Sequence, residues 1–269
     1  MAMTPGIVRI AAMSDIHVSK TGQGALASVF AQVSERADVL VMCGDLTDYG
    51  LPEEARVLAR DVGTALRVPC VTVLGNHDFE AGKADEVRQI LTDAGVTVLD
   101  GDACELQGVG FAGVKGFCGG FGRGALGPWG EDIIKLFVRE AVNEAFKLES
   151  ALARLRTPHR VALLHYSPIR ATVEGEPLEI FPYLGSSRLE EPLSRYPVDV
   201  VFHGHAHRGQ PEGRTPAGVP VFNVSLPLMR RTYPEGQRCF RVFDIPTTSG
   251  GSAVPHETAE VPSEVRGAS

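Results

Sequence analysis

Apolar residues along this chain come in short runs, and most of the runs stop abruptly at polar residues. Residues 7–13, 38–42, 70–74, 160–164 and 198–202 are rich in aliphatic side chains and too short for a buried helix, so they read as buried strands. Between the first three the period changes. Residues 25–37 place Leu26, Val29, Phe30 and Val33 at helical spacing. Residues 52–66 open on Pro52, suited to a helix's first turn, with Glu53 and Glu54 at its positive end. Residues 84–93 form a further helix that stops at Gly95. This strand–helix alternation predicts an α/β layered fold around a largely parallel sheet.

The second half is more varied. Residues 96–99, 103–107 and 110–114 read as short strands joined by tight turns, as in hairpins. Residues 115–130 hold seven glycines together with Phe117, Phe121 and Trp129, a composition suited to a hinged flap over a site. One long amphipathic helix is predicted over 131–156, with Ile134, Phe137, Val138, Ala141, Val142, Ala145 and Leu148 on its core face. Residues 169–187 look irregular, 188–195 a short helix, and 219–224 and 238–245 closing strands. From Pro246 the chain turns to Thr, Ser, Gly, Pro and Glu, so residues 1–245 are expected to form one domain and 246–269 a disordered tail.

Composition narrows the class. A net charge of −7 disfavours a nucleic-acid partner and leaves room for bound cations. No apolar run is long enough to span a membrane, and the N-terminus lacks a signal-peptide pattern. Five scattered cysteines without a CxxC fit reduced thiols in a cytoplasmic protein and exclude a structural zinc knot.

The polar residues that end the apolar runs carry the chemistry. They are Asp15 and His17, Asp45, Asn76 and His77, His165, and His205 and His207, which include five of the eight histidines. In α/β folds ligands gather beyond the carboxyl ends of strands, so the five clusters are expected to meet in one site. Carboxylates, imidazoles and an amide oxygen suit Mn, Fe, Zn or similar ions. The set is too large for one ion and fits two that share a carboxylate.

Asp15-Ile16-His17, Gly44-Asp45-Leu46-Thr47-Asp48, Gly75-Asn76-His77-Asp78, the later His165, and Gly204-His205-Ala206-His207 occur in that order. Together they resemble the calcineurin-like metallophosphoesterases, over most of the chain. The resemblance implies a sandwich of two mixed β-sheets flanked by helices, and two metal ions. Asp15, His17 and His207 would hold the first ion, Asn76, His165 and His205 the second, and Asp45 would bridge them with the hydroxide that attacks phosphorus. His77 matches the family's non-ligand histidine, which contacts phosphate and protonates the leaving oxygen, and Asp78 would orient it.

The block Asp48-Tyr49-Gly50 and the Asp after Asn76-His77 set the chain apart from the protein Ser/Thr phosphatases. They bring it closer to the bacterial phosphodiesterase-like branch, which includes class III cyclic-nucleotide phosphodiesterases. A small-molecule phosphate ester, more a diester than a monoester, is the implied substrate. A non-catalytic scaffold on the same fold is the alternative, opposed by the presence of every ligand position. Arg123, Tyr166 and Arg170 are further candidates for substrate contacts, His203 for support beneath the site, and Cys43 for packing below it.

Overall fold

The computed structural model describes residues 6–233 and 239–247. Strands β1 (Gly6–Met13), β2 (Val39–Cys43), β3 (Cys70–Val73) and β4 (Thr97–Val98) lie parallel, and β11 (Arg241–Thr247) closes the edge antiparallel to β1. The second sheet runs β5 (Asp102–Leu106), β6 (Val109–Gly113), β7 (His159–Leu163), β8 (Val200–His203), β10 (Pro220–Asn223) and β9 (Glu212–Arg214). Its four central strands are parallel and its two edges antiparallel. Both sheets are mixed, as the family resemblance implied.

Each central strand is buried on both faces, which is why the sequence shows continuous apolar runs there. Ile10, Ala12, Val39, Val41, Val71 and Val73 of one sheet meet Phe111, Val161, Leu163, Val200 and Phe202 of the other in the central core. Each such large aliphatic or aromatic side chain contributes about 1.5–3 kcal/mol of transfer free energy. The opposite face of the first sheet carries α1 (Ala27–Arg36), α2 (Pro52–Ala65) and α3 (Ala84–Asp93). That of the second carries α4 (Asp132–Arg154) and α6 (Glu190–Arg195). The short α5 (Phe181–Leu184) falls inside the stretch expected to be irregular, and α7 (Leu226–Thr232) follows β10.

Three expectations change. Of the three short strands expected over 96–114, β5 and β6 form a hairpin, whereas β4 pairs with β3 in the other sheet. The closing strand runs past Ile245 to Thr247, opposite Gly6, and residues 248–269 of the expected tail lie outside the described residues. The glycine-rich stretch is not a free flap. Gly119 donates to Pro182 O at 2.7 Å, Gly120 to Gly185 O at 2.9 Å, and Ser187 to Gly120 O at 3.1 Å, while Trp129 stands 67% exposed. No described helix is long and apolar enough to cross a membrane.

Candidate metal centre

The carboxyl ends of β1, β2, β3, β7 and β8 converge at one end of the sandwich. Two of these strands belong to the second sheet and three to the first, so the site spans the crevice between them. Beyond each strand the chain turns at once. Asp15, His17, Asp45 and His205 all adopt positive φ, between 43° and 68°, and they are four of the five described non-glycine residues that do. Left-handed backbone costs about 1 kcal/mol at each L-residue, and such strain concentrates at functional sites. Gly75 permits the close approach of two of these turns, since a Cβ there would fall on the Asp45 carboxylate and backbone nitrogen. Gly75→Ala is therefore expected to cost about 1–3 kcal/mol in thermal unfolding and to weaken metal retention. Gly63→Ala, on α2 where a Cβ would meet nothing within 4 Å, should instead stabilise by about 0.5–1 kcal/mol.

All seven ligand candidates lie in the cluster. Ligand atoms of Asp15, His17 and His207 fall within 4.8 Å of one another, and so do those of Asp45, His165 and His205. Asp45 stands between the two sets: Oδ2 is 3.8 Å from His17 Nε2 and Oδ1 is 3.3 Å from His165 Nε2. Asn76 Oδ1 lies 2.8 Å from His165 Nε2. His205 and His207 do not share a face of extended chain, because β8 ends at His203 and His205 is left-handed; each joins a different set.

The tautomers are set from behind. His165 Nδ1–H donates to Cys43 O at 2.8 Å, which leaves the Nε2 lone pair facing the Asn76 oxygen, two acceptors that invite a cation. His205 Nε2–H donates to Tyr183 O at 3.1 Å, leaving Nδ1 for the site. Both His17 nitrogens are buried with no hydrogen-bond partner. A buried imidazole with two orphaned nitrogens is costly unless a ligand takes one.

Electrostatics agree. Burial pushes the Asp45 carboxyl up to about 9, aided by the negative charges of Asp15 and Asp78. Burial opposes ionisation of Asp15 too, yet the hydrogen bond from His207 (2.8 Å) and the neighbouring imidazoles carry it well below the usual carboxylate range. The same bond raises His207, whereas burial lowers His17, His205 and, most of all, His165. Neutral imidazoles are the metal-binding form. This donor set of oxygens and imidazoles fits the two hard-to-borderline ions expected of it.

His77 sits beside the cluster on a 3-10 turn, with its ring centroid 4.6 Å from that of His17 and its backbone N–H 2.9 Å from Asp45 Oδ1. Its Nδ1–H donates to Asp48 O at 2.7 Å. The expectation that Asp78 orients it is overturned. Asp78 is fully buried and turned the other way, accepting from Gly75 N, Leu46 N, Thr47 N and Thr47 Oγ1 at 2.6–3.2 Å. Its work is to tie the β2 turn to the β3 turn. His77 is expected as a non-ligand histidine, and its ligand atom lies within 4.8 Å of those of His17 and Asp45.

The substrate candidates divide. Tyr166 lies in the wall, its ring 4.5 Å from His205 and 5.5 Å from His165, with burial keeping the phenol protonated beside Cys118. Arg123 is exposed on a turn at Gly122–Gly124, and no hydrogen bond or ion pair among the described residues ties it to the cluster. Arg170 pairs with Glu174 and lies over Phe181. His203 is buried behind the site against Thr172 Oγ1 at 2.8 Å. Two supports were missed: Asn223, which donates to Ala206 O at 2.7 Å, and Ser14, which donates to Cys43 O at 2.6 Å. A polar residue closing an apolar strand was the available signal for Asn223.

Comparison with known proteins places this geometry. A stretch of 74 residues is 36% identical to glycerophosphodiester phosphodiesterase GpdQ of Enterobacter lignolyticus, covering 28% of this chain and 26% of that protein. The fold matches phosphopantetheinyl hydrolase from Mycobacterium tuberculosis with a TM-score of 0.60 at 16% identity, over 91% of this chain and 98% of that one. A Thermus thermophilus protein matches with a TM-score of 0.50 at 17% identity, over 81% and 89%. The sequence model for calcineurin-like phosphoesterases matches residues 8–209, from the first strand to just past His207. Reaching from β1 through all five candidate ligand clusters, that match makes this chain a member of the calcineurin-like phosphoesterase family.

Proposed function

We propose that the protein hydrolyses phosphodiesters at a dinuclear metal centre. The observation that carries the reading is Asp45, whose two oxygens face His17 of one ligand set and His165 of the other. Asp15, His17 and His207 would hold one ion, Asn76, His165 and His205 the second, and Asp45 both. Two cations bound there supply charge neutralisation for the phosphoryl oxygens and lower the pKa of water.

The chain's own groups supply the rest. Asp15 anchors the ligand loop, accepting from His205 N with both oxygens at 3.1 Å as well as from His207. Asp78 fixes the two turns that carry Asp45 and Asn76. His77, held through Nδ1–H by the Asp48 carbonyl, would present Nε2 to the ester. In the imidazolium form Nε2–H donates to the departing oxygen as the P–O bond breaks, so the product leaves as an alcohol. Preference for diesters rests on the stretch similar to a phosphodiesterase.

Purified protein should retain about two metal ions per chain and hydrolyse bis-p-nitrophenyl phosphate faster than p-nitrophenyl phosphate. Chelation should remove the activity, and Mn²⁺ should restore it. Preference for the monoester would overturn the diester reading. Full metal content with no hydrolysis of either would make this a binding protein.

A further inference from the structure

Beside the metal centre lies a lysine that neither the family's ligand set nor the proposed mechanism uses. Lys115 follows the end of β6, and its carbonyl accepts from His165 N at 2.9 Å and Tyr166 N at 3.1 Å. Its ammonium is enclosed by three aromatic rings: Phe117 at 5.0 Å, Tyr166 at 5.4 Å and Phe79 at 5.6 Å from the ring centroids. Two of these rings border the centre. Tyr166 packs against His205, and Phe79 closes the turn that begins with His77. The ammonium and the His205 imidazole thus lie within 5.4 and 4.5 Å of the same phenol ring.

An ammonium has three donors. One is taken by Gly116 O at 2.7 Å, and aromatic faces attract the charge without offering an oxygen. Among the described residues Lys115 has no ion-pair partner. The buried Glu144 hydrogen-bonds Lys147 Nζ and Gly116 N, each at 2.7 Å, and like Glu140 acts on the ammonium only through longer-range attraction. A part-exposed cation, held in place with donors to spare one ring's breadth from a phosphoester centre, is built to receive an anion.

We infer that Lys115 positions the substrate by binding an anionic group, carboxylate or phosphate, on the ester substituent that stays with phosphorus. This rests on the phosphodiester reading above, and the experiment separates the two. Binding is read first, by calorimetry on the Mn²⁺-loaded protein, with methylphosphinates, which have no ester bond to cleave, carrying a butyl, a 3-carboxypropyl or a 2-phosphonoethyl group on phosphorus through carbon. The wild type should bind at least one charged analogue about tenfold more tightly than the butyl one. Whichever is preferred identifies the anion. Lys115→Met, which keeps the length and packing of the side chain, should erase that preference while leaving butyl affinity and metal content within about twofold, and Lys115→Arg should restore part of it. Equal binding of all three by the wild type would overturn the inference. So would an equal loss on every analogue in Lys115→Met, which would make the residue a structural plug. Hydrolysis is then read on the matching p-nitrophenyl diesters, where the substitution should raise KM for the charged ester and leave kcat in place. A binding preference without turnover would sink the phosphodiesterase reading and leave Lys115 standing.

Discussion

Asp45→Asn should abolish turnover and release bound metal, yet make the metal-free protein harder to unfold. The first half follows from position, because among the described residues Asp45 is the carboxylate that faces both ligand sets. The second follows from burial. With a folded pKa of about 9 against an ordinary value of 3.8, the metal-free fold prefers this carboxyl protonated. Its contribution to stability is fully present below pH 3.8 and is lost as the pH rises through 9. At pH 8 the wild-type apoprotein therefore carries most of that penalty, and asparagine, which cannot ionise, does not. The gain should be on the order of a few kcal/mol. Urea unfolding of both chelated proteins between pH 5 and 9 tests it. The difference should widen with pH in favour of Asp45→Asn, and added Mn²⁺ should reverse the order. Parallel curves, or a variant that keeps two metals, would remove Asp45 from the bridging position.

The second large effect is expected at His77. His77→Ala should lower turnover about 10²–10⁴-fold, the usual worth of a positioned acid. Its ring is oriented by the Asp48 carbonyl, so no carboxylate partner is lost with it. Alkyl diesters, whose alkoxide needs a proton, should suffer most, and nitrophenyl esters least. Metal analysis on the same variant decides the remaining question, because His77 shares a ligand-distance group with His17 and Asp45. Retention of both ions with a leaving-group-dependent loss assigns the acid role. Equal losses on both esters assign phosphate positioning, and loss of an ion makes His77 a ligand.

The candidate metal centre was readable in the sequence because the chemistry it would serve restricts residue type. Apolar runs such as 38–42 and 198–202 end in His, Asp or Asn for no packing reason, and parallel strands buried on both faces keep those runs intact. What the sequence hid was orientation. His77 and Asp78 are neighbours, but a 3-10 turn sends one carboxylate toward Gly75 and Thr47 and the imidazole toward Asp48. Backbone partners leave no trace in residue identity either: Cys43 O and Tyr183 O select the tautomers of His165 and His205. In the fold, glycines at 95, 101 and 108 give similar turn signals, although only the last lies in a hairpin. β9 and α7 were passed over because three and seven residues give little periodicity to read.

The left-handed backbone at His17 and His205 sets stability against activity. Glycine at either position would relieve a cost of about 1 kcal/mol and delete a proposed ligand in the same step. Directed selection for thermal tolerance, carried out without an activity gate, would drift toward those substitutions and enrich well-folded, catalytically dead protein. Variants chosen for robustness should be required to keep imidazole at 17 and 205.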